Sequence, residues 1–437
     1  MNVEITTLPN GLTVATDPMP QLESASLGVW VNCGARHETS PIMGISHMLE
    51  HMAFKGTERR SARAIAEEIE AVGGALNAYT SREQTAFHAR VLKDDVRLAV
   101  DLLGDILTRP VFETSELERE RQVVLQEIGQ ARDTPDDIVF DHLQSAIYPG
   151  QAMGWPILGN EETVGGFARE DLDAYMRANY CAGGMTLIAS GAVEHARMLD
   201  LALEYFSALH PGKGPRGEAA RYVGTDVRVG EDLEQVHVTW ALPGIPSGDD
   251  ALFAAQVYAT ALGGGMSSRL FQEIRERRGL CYSIYAFANS FVDTGMLGIY
   301  AGTGEKEAGE ISGLVADEMV KLARTASTEE TARAKAQLRA ALLMGLERPS
   351  ARAEQIAAHL LAYGRVVPLD EIRAKLEAVT AGDVRAFGEA LMDGRPAMAA
   401  VGPLDGLEDY ETFARRFGSK ESALRGAWGA PPVQAAE

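Results

Sequence analysis

One plan runs twice through the chain. A polar stretch rich in Gly and Pro, residues 210–218, interrupts the periodic pattern near the middle, and the segments on either side of it follow the same order. In the first half an apolar strand at 25–32 leads into a helix at 40–54, which Ser40 can cap and Pro41 can open. Alternation over 75–91, helices at 93–107 and 114–131 and a closing strand at 185–191 complete it. The second half repeats this with a strand at 235–242, a helix at 249–262, alternation at 282–301, helices at 307–323 and 328–346, and a strand at 397–402. The pattern predicts a duplicated α+β unit of roughly 200 residues, hence two homologous domains, each a mostly antiparallel mixed sheet packed with helices. We place them at 1–209 and 221–425, joined by a linker at 210–220 and followed by a flexible tail at 426–437.

With 437 residues such a chain can bury two cores without disulfides or metal staples. Its three cysteines, Cys33, Cys181 and Cys281, are odd in number, far apart and without metal-like spacing, so unpaired thiols in a reducing compartment are expected. Residues 1–10 lack a basic segment followed by an apolar run, and no window reaches the ~18 apolar residues of a spanning helix. The expectation is a cytoplasmic protein with no membrane partner. A net charge of −21 argues against nucleic acid, which needs a basic surface. It suits either solubility or a cavity for a cationic ligand.

Chemistry enters with His47-Met48-Leu49-Glu50-His51, inside the first predicted helix. Residues four apart lie one above the other on a helix, so His47 and His51 can offer imidazoles to one ion while Glu50 points near the same spot. In a chain with 9 histidines this spacing with its carboxylate arises by chance in about one case in a hundred, which favours a metal over two incidental surface histidines. A catalytic zinc wants three protein ligands and an open position, so a third ligand must come from elsewhere. The helix at 114–131 supplies Glu116, Glu118, Glu120 and Glu127. Most carboxylates in such a run face solvent. Glu120 and Glu127 share a face, and Glu127 is flanked by Val123, Val124, Leu125 and Ile128, so it needs a partner that a metal would supply.

The order H-x-x-E-H reverses the zincin motif and belongs to the inverzincins. The run Gly44-Ile45-Ser46-His47-Met48-Leu49-Glu50-His51-Met52-Ala53-Phe54-Lys55-Gly56-Thr57 resembles the pitrilysin/insulinase family, and within it the β-subunits of mitochondrial processing peptidases and their bacterial relatives. The resemblance extends from about residue 8 to about residue 402. It implies a zinc endopeptidase with one Zn2+ per chain, held by His47, His51 and Glu127, with Glu50 as general base and Glu120 as a carboxylate behind the ligands. It also implies substrate contacts at Phe54, and at Asn77 and Ala78 on an edge strand that binds an extended peptide by β-augmentation.

In the second half, Gly263-Gly264-Gly265 is followed by no G-K-[ST], so a phosphate cradle is not expected. The run 275–282 reads by itself as a solvated basic helix end. The resemblance instead assigns Arg275 and Tyr282, seven apart, to holding substrate carbonyls and the developing oxyanion. Asp137 and Asp141, which alone read as surface carboxylates, match an acidic pair that receives an Arg near the cleaved bond, implying basic, presequence-like peptide substrates. In the family, chains each forming half of a clamshell pair around a closed chamber. Because this chain carries both the zinc motif and the Arg/Tyr pair, the expectation is a homodimer whose sites are completed in trans. The competing readings are a non-catalytic peptide-binding or assembly subunit of the same fold, whose members lose metal ligands, and a small-molecule metallohydrolase, which leaves the edge strand and acidic pair unexplained.

Overall fold

A computed structural model describes residues 2–418, which divide into two units. The tail expected at 426–437 lies outside the described residues. The first unit comprises residues 2–130, 155–218 and 344–366, and the second 131–154, 219–343 and 367–418. Along the first unit run β1 (Glu4–Thr7), β2 (Thr13–Pro18), β3 (Ser24–Val31), α1 (Ile45–Ala53), α2 (Ala62–Ala71), β4 (Ala75–Thr80), β5 (Thr85–Leu92), α3 (Val96–Thr108) and α4 (Thr114–Arg132). The next helix, α5 (Pro135–Ile147), belongs to the second unit; α6 (Glu161–Gly166), α7 (Arg169–Asn179), β6 (Met185–Gly191) and α8 (His195–Phe206) return to the first. The second unit continues with β7 (Asp226–Gly230), β8 (Val236–Pro243), α9 (Leu252–Gly263), β9 (Cys281–Ser290), β10 (Gly295–Thr303), α10 (Ala308–Thr325) and α11 (Thr328–Gly345). After α12 (Pro349–Tyr363), which packs in the first unit, it closes with α13 (Leu369–Ala378), α14 (Ala381–Met392), β11 (Ala397–Gly402) and α15 (Tyr410–Ala414).

The first sheet has the order β1-β2-β6-β3-β5-β4 and the second β7-β11-β8-β10-β9. Leaving out β1, the two orders correspond strand for strand, and the parallel pair falls at the same place in each, β2 with β6 and β7 with β11. All other pairings are antiparallel. This is the mixed, mostly antiparallel architecture that the repeated sequence plan predicts. The central strand β3 is buried from Ala25 to Val31, in keeping with its mostly apolar sequence, with only Ser26 polar in that span. At the other extreme β4 ends the sheet: it pairs with β5 alone, from Ala75↔Arg90 to Thr80↔Thr85, with Ala75 and Asn77 exposed and its other residues half-buried.

On α1, Ile45, Met48, Leu49 and Met52 repeat at helical spacing and are buried in the core of the first unit. Burying that stripe turns His47, Glu50 and His51 to the other side of the helix. The predicted span 40–54 is too long at its start. Ser40 and Pro41 lie in a separate 3₁₀ turn, Ser40–Ile42, and the helix begins only after Gly44, which takes φ +89°. A side chain there would be strained by that φ and would meet the Gly159 backbone at 2.7 Å, so the chain can enter α1 this way only through glycine. Ser40 therefore does not cap α1.

Candidate metal centre

α1 and α4 bring together the group that the sequence singled out. His47, His51 and Glu127 each offer one ligand atom, and these atoms lie within 4.8 Å of one another, the one such cluster among the described residues. Glu127 Oε2 stands 3.6 Å from His47 Nε2 and 3.5 Å from His51 Nε2. Both separations are too long for good hydrogen bonds, yet close to the roughly 3.4 Å that a tetrahedral zinc with bonds of about 2.1 Å sets between two ligand atoms. Glu127 Oε2 is buried and has no hydrogen-bond partner among the described residues. A buried carboxylate oxygen left without a donor, facing two imidazole nitrogens, is the arrangement a divalent cation satisfies. The residues fit a zinc ion.

The surroundings prepare the ligands. Burial, and after it the neighbouring His51, pushes the His47 pKa down to about 3, which keeps the ring neutral as a metal ligand must be. His51 is oriented from behind: Glu120 Oε2 lies 3.0 Å from its Nδ1. A carboxylate can only accept, so Nδ1 carries the proton and Nε2 is left free toward Glu127. Glu120, itself buried, has its other oxygen 2.7 Å from Lys55 Nζ. Glu50 is held by Thr80, whose Oγ1 donates to Glu50 Oε2 at 2.5 Å. Burial raises the Glu50 pKa, partly offset by the Thr80 bond. A carboxylate tuned upward is better matched to taking a proton near neutral pH.

Three residues of this neighbourhood escaped the sequence reading. Lys55 lies two positions past the end of α1, so no helical period reports it. Thr80 shares a face of β4 with Ala78 and Leu76 by the two-residue period, which the strand pattern could have shown. Glu38 carries no local signal: its two carboxylate oxygens accept from Gly44 N at 2.7 Å and Ser46 N at 2.8 Å, capping α1 from six and eight residues upstream.

Of the other predicted residues in the first unit, Phe54 follows α1 half-buried, its ring 6.1 Å from that of Phe87. Asn77 is exposed on β4, and its Oδ1 accepts from Ala78 N at 2.8 Å. That amide is therefore outside the ladder to β5 and faces the open edge. Asp137, Asp141, Arg275 and Tyr282 all belong to the second unit. Asp137 is exposed in the first turn of α5 and Asp141 half-buried one turn on. Arg275 lies in a π-helical turn, Phe271–Glu276, with its guanidinium carbon 4.5 Å from the Phe271 ring centroid and 5.2 Å from that of Tyr282. Arg275 and Tyr282 are thus neighbours, and Tyr282 is 80% exposed at the start of β9.

Residues 13–161 match the family described as insulinase (peptidase family M16), and residues 166–338 match the peptidase M16 inactive domain. A protein of Rickettsia felis described as an uncharacterised zinc protease is 36% identical over 405 residues, which cover 92% of this chain and 98% of that protein. A probable mitochondrial-processing peptidase subunit beta of Arabidopsis thaliana is 37% identical over 427 residues, 94% of this chain and 80% of its own. Among solved structures, a protease from Helicobacter pylori superposes with a TM-score of 0.85 over 92% of this chain and 99% of that one; at 20% identity it speaks for the fold alone.

Proposed function

The chain belongs to the insulinase family of peptidases, peptidase family M16, and from that premise we propose that it is a zinc-dependent endopeptidase acting on extended peptides. The observation that carries the proposal is the convergence of His47 Nε2, His51 Nε2 and Glu127 Oε2, with Glu127 Oε2 otherwise unpartnered. His47, His51 and Glu127 would hold the metal. A zinc ion bound there supplies a Lewis acid that acidifies water and polarises a carbonyl. With Glu50 Oε2 tied to Thr80, Glu50 Oε1 is the atom left to take the proton from the attacking water and return it to the leaving nitrogen. The open edge of β4, with the Ala78 amide turned outward, suits an extended peptide laid across the site at Asn77 and Ala78, beside Phe54.

The test is Glu50→Gln. We expect peptide hydrolysis to fall about 10³-fold with one zinc per chain still bound, and chelation to silence the wild type. A Glu50→Gln protein that cleaves at the wild-type rate would sink the mechanism. The full set of metal ligands argues against a non-catalytic assembly role.

Beyond this, residues 1–209 act in our reading as the catalytic domain and 221–425 as its homologue, joined by 210–220. The homologous domain contributes Arg275 and Tyr282 as donors to the developing oxyanion, in trans within a homodimer located in the cytoplasm. Asp137 and Asp141 would receive a basic side chain. Exchange of both for Asn should cut the preference for Arg-containing over Arg-free peptides about tenfold; equal preference in wild type and variant would refute that role.

A further inference from the structure

The edge strand β4 bears on both substrate and base, and its ladder bonds come from one side only. Such strands are the least constrained part of a sheet, while a peptide that pairs along β4 needs the strand's backbone groups already held in place, since any ordering left until binding weakens it. What fixes β4 therefore matters. On its inner face Leu76 and Ala78 pack against the core that includes α1, and Thr80 reaches Glu50. On its other face Tyr79 donates from Oη to Glu354 Oε2 at 2.7 Å. The same carboxylate oxygen accepts from Trp30 Nε1 at 3.2 Å, and Trp30 Nε1 lies 3.2 Å from Tyr79 Oη. Trp30 is buried on the central strand β3, so its indole is a fixed reference point. Glu354 comes from α12, 275 residues from Tyr79 in sequence, a helix that packs on β3 and β6 with Ala353, Ile356 and Ala357 buried.

We propose that Glu354 is a positioning residue for the peptide substrate: by joining Tyr79 to Trp30 it locks the edge strand β4 against the rigid centre of the sheet, in the place where a peptide must pair with it. The proposal rests on the reading of β4 as the peptide-docking edge. Tyr79 follows Ala78, whose amide is turned to that edge, while Thr80 keeps its own bond to Glu50 from the inner face. Removing the carboxylate frees the strand's outer face while touching neither the metal ligands nor Glu50.

The experiment compares a peptide of about ten residues, long enough to lie along all of β4, with one of about four that is confined to the metal centre. Glu354→Leu and Tyr79→Phe should each raise KM for the long peptide about 5- to 10-fold, leave its kcat within about twofold, and leave the short peptide unaffected. Glu354→Gln keeps an acceptor oxygen for both donors and should return KM close to wild type. Unchanged KM in both variants, an equal loss with the short peptide, or a Gln variant as impaired as the Leu variant would each overturn the proposal. Hydrogen exchange of the 75–80 amides in metal-stripped protein gives a second reading that needs no activity: Glu354→Leu should speed it relative to β3, and equal rates would overturn the latch. Should the wild type cleave neither peptide, the peptidase reading fails, and exchange alone decides whether the latch exists.

Discussion

Glu120 touches no substrate in our reading, yet it fixes which nitrogen of His51 faces the metal. It can do so only while its carboxylate is held in place, and Lys55 is what holds it, from just beyond the helix that carries the histidines. Exchange of Glu120 for Gln should therefore weaken zinc binding about 10- to 100-fold in competition against a chelating dye, with the fold intact by circular dichroism. Zinc affinity equal to wild type would show that His51 needs no such support. Of this centre, His47, Glu50 and His51 were legible from spacing alone, because i, i+3 and i+4 on a helix are a local rule. Among the glutamates of α4, the shared face and apolar flank pointed to Glu127 as a candidate, and the family resemblance assigned it as a ligand and Glu120 as the carboxylate behind it. Thr80 lies 30 positions from Glu50 and Glu354 275 from Tyr79, and no local period reports contacts of that separation.

Elements place these residues, and α1 shows what periodicity reads well and badly. Its buried stripe was plain in the sequence; its start was not, because Glu38 rather than the nearby Ser40 satisfies the first turn. The Glu38 carboxylate is 5% exposed, and burial pushes its pKa from the ordinary 4.5 up to about 7 against the pull of the Ser46 and Gly44 amides. Between those two values the folded chain holds a proton that the unfolded chain has released, so stability falls as pH rises. The contribution is full below about 4.5 and lost as pH rises through about 7. Relative to Glu38→Gln, which does not titrate, the wild type should lose up to roughly 3 kcal/mol between pH 4 and 8. Urea midpoints on metal-stripped protein measure this without the pH dependence of metal binding; two parallel curves would mean the buried carboxyl does not titrate in that window. Where elements were driven by long apolar runs, as in β6 and β11, the expected and observed bounds agree. β1 and β7 are short and largely exposed or half-buried, and β2 is buried but half polar in sequence, TVATDP, so all three carried too little apolar signal to be read.

At the scale of the molecule, the duplication foreseen from the sequence appears as two sheets of one strand order. What the linear pattern did not show is that each sheet takes a helix coded in the other half: α5 packs on β11 and β8, and α12 on β6 and β3. Hydrophobic period identifies a helix but not the sheet it will cover, since either apolar face would accept it. A related ambiguity governs the proposed site, because Glu50 belongs to one unit and Tyr282 to the other, and the complete constellation could come from one chain or two. Mixing separates the cases. Take Glu50→Gln chains and Tyr282→Phe chains, each slow alone. If the constellation forms in trans, a mixed dimer has one site with both exchanges and one with neither. Random reassociation at equal amounts makes half the dimers mixed, so about a quarter of wild-type activity should return. If it forms in cis, every site keeps exactly one lesion, and mixing yields only the average of the two variants. Refolding the variants together and separately, and comparing initial rates at equal total protein, distinguishes a quarter of wild type from that average; the average would remove the trans homodimer.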